Sequence, residues 1–187
     1  NATHIEAFGQ LKVAIDNAVR TAHPDETKEF CLWTDASSTS WGAVLTQVHT
    51  SHFHSKNRTW QEWDHEPLAF LSGTFKGAAA RWAIPDNEAY AIWHSCGRLA
   101  HLLVRRGGFH IFTDHRNLRY IFAPGGTVSS IAKPSADRLE RWALLLRNFD
   151  YSIQHIPGDE NHWGDLLSRW GNPDSGTHSE ATEYVKA

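Results

Sequence analysis

Four acidic side chains are the residues of this sequence best suited to chemistry: Asp35, Glu88, Asp114 and Asp165. Singly, each has an ordinary explanation. Asp35 closes an apolar run before Ser37-Ser38, where an acid commonly starts a turn. Asp114 closes the run FHIFT and could cap a following helix. Glu88 and Asp165 fall in the first turns of predicted helices, where negative charge suits the helix dipole. Jointly they have another explanation. If a sheet sets two strand ends side by side and helix starts lie next to them, four carboxylates converge and repel. Cations relieve that repulsion, and hard oxygen ligands suit Mg2+ or Mn2+. Two such ions about 3.5–4 Å apart are the usual apparatus for in-line phosphodiester cleavage.

Periodicity predicts the elements that must position these acids. Ile5, Phe8, Leu11, Ile15 and Val19 have helical spacing over residues 3–20, and Thr3 with Glu6 resembles a capping box. AHPDETKE then interrupts the pattern as a linker. Strands are predicted at Phe30–Thr34, Trp41–Val48 and Pro67–Ser72, with 49–64 a long hairpin loop. Residues 73–85 show no clear pattern. Beyond Pro85, Ala89, Ile92, Trp93, Cys96, Leu99 and Leu103 form one helical stripe that Gly107-Gly108 ends. There follow a strand at Phe109–Thr113, a short helix at Asn117–Phe122, a loop over 123–135 and a helix at Ala136–Phe149. A strand at Tyr151–Ile156, a Pro157-Gly158 turn and a helix at His162–Trp170 complete the order. From Gly171 the chain is polar and aperiodic, a predicted disordered tail over 171–187. Three early strands followed by strands separated by helices predict a mixed α/β fold. It has a five-stranded mixed sheet flanked by helices, plus an extra N-terminal helix.

Bulk properties narrow the field. A chain of 187 residues fits one domain with appendages, and 41% hydrophobic content with nine Trp can fill a core. Cys31 and Cys96 lie inside apolar runs and read as small buried hydrophobes. No apolar stretch approaches a membrane span of about 18 residues, and no secretory pattern is seen, so an intracellular setting is expected. The absence of Met suggests a piece of something longer. A net charge of −3 excludes a domain that binds nucleic acid by bulk electrostatics. Any polyanion must be met by a local basic surface or through cations at the acidic site. His49, His52, His54 and His65 match no closed zinc pattern.

The strings WTDASSTSWGAVLTQ, PDNEAYAIW, FTDHRNLRYI, RLERWALLLRNFDYSIQHIPG and ENHWGDLLSRW resemble the ribonuclease H domain of gypsy-type LTR retrotransposons and related retroviral reverse transcriptases. The likeness covers about residues 30–170, collinearly. Residues 1–29 resemble the segment joining polymerase to ribonuclease H. The resemblance implies a ribonuclease H-like fold and cleavage of the RNA strand of RNA/DNA hybrids. It implies metal binding by Asp35 (TDAS), Glu88 (NEAYAI), Asp114 (TDH) and Asp165 (GDLLSR), with two Mg2+ or Mn2+ ions. It also implies a partner, the polymerase domain of the same Pol polyprotein.

The chain departs from relatives that carry a mobile, turnover-assisting His in a loop before the last acid. Here that turn is short, PGDENHWGD; neither histidine matches cleanly, a surface or packing role is the default for both, and His162 ranks ahead of His155 as a substitute. The 123–135 loop stands where some relatives have a basic hybrid-gripping helix. Arg116 is a candidate phosphate contact, and Ser37, Ser38 and Asn117 are candidate contacts to ribose 2′-hydroxyls, which separate RNA from DNA. Arg98, Arg105, Arg106, Arg138, Arg141 and Arg147 read as solvated helix faces. Trp60 and Trp63 are expected to pack over the sheet rather than stack on bases. The alternatives are a non-catalytic tether or scaffold of the same fold, and a transposase or integrase core. The first usually loses acids from the set; the second needs only three and carries other motifs.

Overall fold

The computed structural model describes residues 20–53, 60, 63–123 and 133–168. Residues 3–19 of the helix predicted over 3–20, the middle of the 123–135 loop, residues 169–170 of the last predicted helix and the 171–187 tail lie outside them. Five strands form one sheet: β1 (Glu29–Ala36), β2 (Ser40–Val48), β3 (Glu66–Thr74), β4 (Phe109–Thr113) and β5 (Tyr151–His155). Their order is β3-β2-β1-β4-β5. β1, β2 and β3 form an antiparallel meander, whereas β1 with β4 and β4 with β5 run parallel. This is the mixed sheet expected.

β1 is central and covered on both faces, which is why FCLWT reads as continuous rather than alternating hydrophobicity. Phe30, Leu32 and Ala36 join the larger core, whereas Cys31 and Trp33 join a second cluster with Val48, Trp63, Phe112 and Ile156. Successive side chains on a strand point to opposite faces, so each cluster takes alternate residues. Trp33 stacks on Phe112 with ring centres 4.2 Å apart. Trp60 packs against the same second cluster, as expected of this pair. β1 starts one residue earlier than predicted because charged Glu29 finds His110 on β4, 3.3 Å away. β3 continues through Gly73, where a Cβ would lie 2.8 Å from Trp41 Nε1. The bare glycine lets that indole lie across the strand.

The helices differ from expectation mainly at their ends. α1 (Thr50–Phe53) interrupts the predicted 49–64 loop. The unpatterned 73–85 stretch holds the end of β3, a 3-10 turn at Gly77–Arg81 and the start of α2 (Ile84–Arg98). Pro85 lies inside the first turn of α2, where its missing N–H costs nothing. The predicted stripe is not one helix: α2 ends at Arg98 and α3 (Ala100–Leu103) follows after Leu99. Gly107 and Gly108 have φ of 83° and 66°, which glycine adopts without strain. α4 spans Leu118–Ile121, α5 (Lys133–Leu146) starts three residues before the predicted Ala136, and α6 spans His162–Ser168. Trp93 on α2 stacks on Trp142 of α5, 5.5 Å centre to centre.

Two of the arginines read as solvated faces are not. Asp86 is buried in the first turn of α2, where it accepts from Arg138 Nη2 at 2.9 Å and Ser135 Oγ at 2.7 Å. Arg138 also lies over the Trp82 ring, 4.5 Å from its centre. Arg105 donates to the carbonyls of Lys28 and Glu26 and covers the Phe30 ring. Removing one partner of a buried pair strands the other charge. Arg138→Ala is therefore expected to cost about 2–3 kcal/mol in urea unfolding, below the full buried-pair figure because Ser135 still serves Asp86. An Arg138→Ala midpoint equal to wild type would refute this.

The predicted linker is fixed where it is described. Ala22 N–H donates to Pro67 O at 2.7 Å, and Gln47 bridges the Asp25 N–H and the His23 carbonyl. Both cysteines are free and buried, and burial pushes their thiols up, out of reactive range. Among the described residues, no helix is long and apolar enough to cross a membrane.

Candidate metal centre

The parallel β1–β4 pair brings the first two acids together. Trp33 stands opposite Phe112, so two further residues along each strand place Asp35 beside Asp114 at the carboxyl edge of the sheet. β1 has an antiparallel neighbour on one side and a parallel one on the other, the kind of crevice where α/β sheets bind ligands. Glu88 arrives from α2, on the face of the larger core. Two contacts seat its helix: Asp86 is tied to α5, and Asn87 Nδ2 donates to Ser37 O at 3.2 Å. Glu88 is the fifth residue of α2, so the helix-dipole reading belongs to Asp86 instead.

Asp35, Glu88 and Asp114 each offer a carboxylate oxygen within 4.8 Å of the others. One Glu88 oxygen, Oε1, accepts the Ala36 N–H at 3.1 Å; the other, Oε2, is buried with no hydrogen-bond partner. Burial first, and then the charges of Asp35 and Asp114, push the Glu88 carboxyl well above its ordinary value of 4.5. Asp114 is also raised, chiefly by burial, with a contribution from Asp165; a backbone hydrogen bond and the charges of His115 and His155 oppose it. An all-oxygen donor set with an orphaned buried carboxylate oxygen fits a hard divalent cation. Among the described residues this is the one group of three or more potential ligands. His65 pairs its ring nitrogens with Thr46 Oγ1 and the Trp60 carbonyl.

Asp165 stands apart from the group of three, and its charge reaches Asp114 through space. It is carried by α6, which lies hard against the ends of β1 and β2. A Cβ on Gly164 would come within 2.8 Å of Asp35 Cβ, and one on Gly42 within 2.6 Å of Leu167 Cβ. Asn161 Nδ2 donates to Thr34 O at 2.8 Å, and Ser168 Oγ donates to Asp35 Oδ2. Trp60 Nε1 donates to Glu160 Oε2 at 2.7 Å, anchoring the turn before α6 to the second cluster. Gly164→Ala should force α6 off β1 and lower stability by about 1–3 kcal/mol, the usual cost of overpacking. Thermal unfolding checks it; an unchanged midpoint would show that α6 has slack.

The remaining candidates fall around this centre. Ser37 is occupied within the β1–β2 turn, accepting from Ser40 N–H at 3.0 Å and donating to Ser40 O at 3.1 Å. Ser38, Arg116 and Asn117 are exposed on the segments that follow Asp35 and Asp114. Asn117 occupies the N-cap position of α4 without a side-chain cap, so Asp114 is not that helix's cap. His162 is exposed at the start of α6. His155 pairs with Thr113 in the sheet, and its charge is felt at Asp114. Asn161, Gly164 and Ser168 carry no chemical signature in the sequence; only their closeness to the acids marks them.

A protein family described as the RNase H-like domain found in reverse transcriptase matches residues 25–149. The transposon Tf2-3 polyprotein of Schizosaccharomyces pombe is 32% identical over 168 residues, 89% of this chain. The chain spans 11% of that polyprotein. Among solved structures, RNase H1 from the halophilic archaeon Halobacterium salinarum has a TM-score of 0.50 at 16% identity, over 75% of this chain and 92% of that one. The foamy viral protease-reverse transcriptase in complex with RNA/DNA hybrid has a TM-score of 0.51 at 11% identity, over 84% of this chain and 20% of that one. Both likenesses speak to the fold.

Proposed function

The chain belongs to the RNase H-like domains found in reverse transcriptase, and from that membership we propose that it is a metal-dependent endonuclease cutting the RNA strand of RNA/DNA hybrids. The observation that carries this reading is the convergence of Asp35, Glu88 and Asp114, three acids from separate elements, around a buried unbonded carboxylate oxygen. These three, with Asp165, whose charge is felt at Asp114, would hold Mg2+ or Mn2+. Bound as a pair, such ions supply Lewis acidity at the scissile phosphodiester and make the attacking water a stronger acid. The side chains do the rest. Asp35 and Asp114 offer carboxylate oxygens at the sheet edge, and Glu88 would add a third from α2.

Ser38 and Asn117 flank the acids on exposed segments and would meet ribose 2′-hydroxyls, with Ser37 supporting the turn and Arg116 placed for a phosphate. His162 is proposed for the turnover role. The Tf2 likeness supports a place inside a retroelement Pol protein, beside a polymerase domain, and an intracellular setting is proposed with it. A labelled RNA/DNA hybrid incubated with and without Mg2+ tests the reading. Cleavage of the RNA strand only with metal, leaving 3′-hydroxyl and 5′-phosphate ends, is expected. A hybrid left intact at saturating Mg2+ would refute it.

A further inference from the structure

We infer that Ser168 is a positioning residue for Asp35. Its hydroxyl holds one Asp35 oxygen from α6 and thereby sets the affinity of the acidic centre for divalent metal; the inference rests on the metal-centre reading above.

Ser168 is 1% exposed, and its Oγ donates to Asp35 Oδ2. The same Oγ lies 3.3 Å from the Asp165 carbonyl. A hydroxyl has one proton, and a carboxylate is a stronger acceptor than a peptide carbonyl, so Asp35 takes it. Gly164 and Ser168 are four residues apart and share a face of α6. At Gly164 that face comes so near Asp35 that no Cβ fits, and at Ser168 it supplies the donor. The backbone has no room to retreat, because the Ser168 N–H presses on Gly42, where a Cβ would lie 2.6 Å away.

The need for such a hold follows from the site. Glu88 and Asp114 repel an ionised Asp35, and the terminal torsion of an aspartate is soft. A carboxylate free to turn would swing away from its neighbours and present a poorer ligand set. Ser168 opposes that turn, and because it shares α6 with Asp165, one hydroxyl ties two acids together. Partners of this kind behind metal ligands typically change metal affinity by about 10–100-fold when removed.

Ser168→Ala removes the donor and little volume; Ser168→Thr keeps it. Calorimetric titration of metal-free protein with Mg2+ and Mn2+ alone, beside thermal unfolding and the Mg2+ dependence of hybrid cleavage, decides the matter. Ser168→Ala should bind Mg2+ about tenfold or more weakly, with the half-saturating Mg2+ for cleavage rising in step. Its metal-free midpoint should stay near wild type, and Ser168→Thr should recover affinity. Wild-type affinity in Ser168→Ala overturns the proposal, as does a loss that merely follows a collapse of the midpoint. A wild-type chain that binds Mg2+ but leaves the hybrid uncut sinks the nuclease reading alone, and the affinity ratio still decides for Ser168. A wild-type chain that binds neither ion sinks the metal centre and this role with it.

Discussion

Asp35→Asn and Asp114→Asn are each expected to abolish cleavage of an RNA/DNA hybrid while the sheet stays folded. Asparagine keeps the shape of aspartate and removes one negative charge from a trio whose oxygens lie within 4.8 Å of one another. The lost charge is the attraction that would hold a divalent ion. A loss of about 4 kcal/mol at the transition state corresponds to a rate lower on the order of 10³-fold. The fold should not suffer, because the metal-free trio is self-repelling and its central residues are buried. The metal-free midpoint should therefore be equal to or above wild type. Cleavage rates at saturating hybrid, with circular dichroism and thermal unfolding of the same samples, separate the two quantities. A variant that cuts at the wild-type rate would remove the acids from the reaction.

The acids on the strands were legible because strands make them so. Asp35 and Asp114 each close an apolar run, and parallel pairing of those runs sets their ends side by side. The inequality of the four acids was not legible. Spacing along the chain says that Glu88 and Asp165 sit on helices, not how far each helix stands from the strand ends. Glu88 also lies deeper in its helix than the expected first turn. α2 begins at Ile84 behind Ala83, which offers no side-chain cap and so no N-terminal signal. Long-range partners were out of reach for the same reason. Arg138 looks like a polar helix face until Asp86, 52 positions earlier, is seen beneath it. Glu29 looks like linker until His110 is found across the sheet. Gly164 and Ser168 are the extreme case, since their roles arise from α6 pressing on β1 and β2.

A second large effect is a stability that depends jointly on pH and metal through Glu88. Its carboxyl is raised well above 4.5, by burial and then by Asp35 and Asp114, when the chain is folded and metal-free. Between 4.5 and that raised value the folded chain holds a proton that the unfolded chain has lost. Glu88 therefore favours the fold most at low pH, and that contribution fades as pH rises through the window. Asp114, raised mainly by burial, acts in the same sense. His65, His94 and His115 act in the opposite one. Burial holds each below 6.5, so their contribution grows with pH up to about that value. The wild-type curve mixes these slopes, and Glu88→Gln isolates one of them. Glutamine keeps an oxygen for the Ala36 N–H and cannot ionise. Without metal, Glu88→Gln should be the more stable protein at pH 8, with the difference closing toward pH 4.5. Mg2+ should reverse the order at pH 8. A ligand at 100 times its Kd adds about 2.7 kcal/mol to a chain that binds it, and the variant has lost a ligating charge. Urea unfolding across pH, with and without Mg2+, reads all four arms. Parallel curves for the two proteins, or an equal gain from Mg2+, would show that Glu88 neither carries the raised proton nor gives it up to a cation.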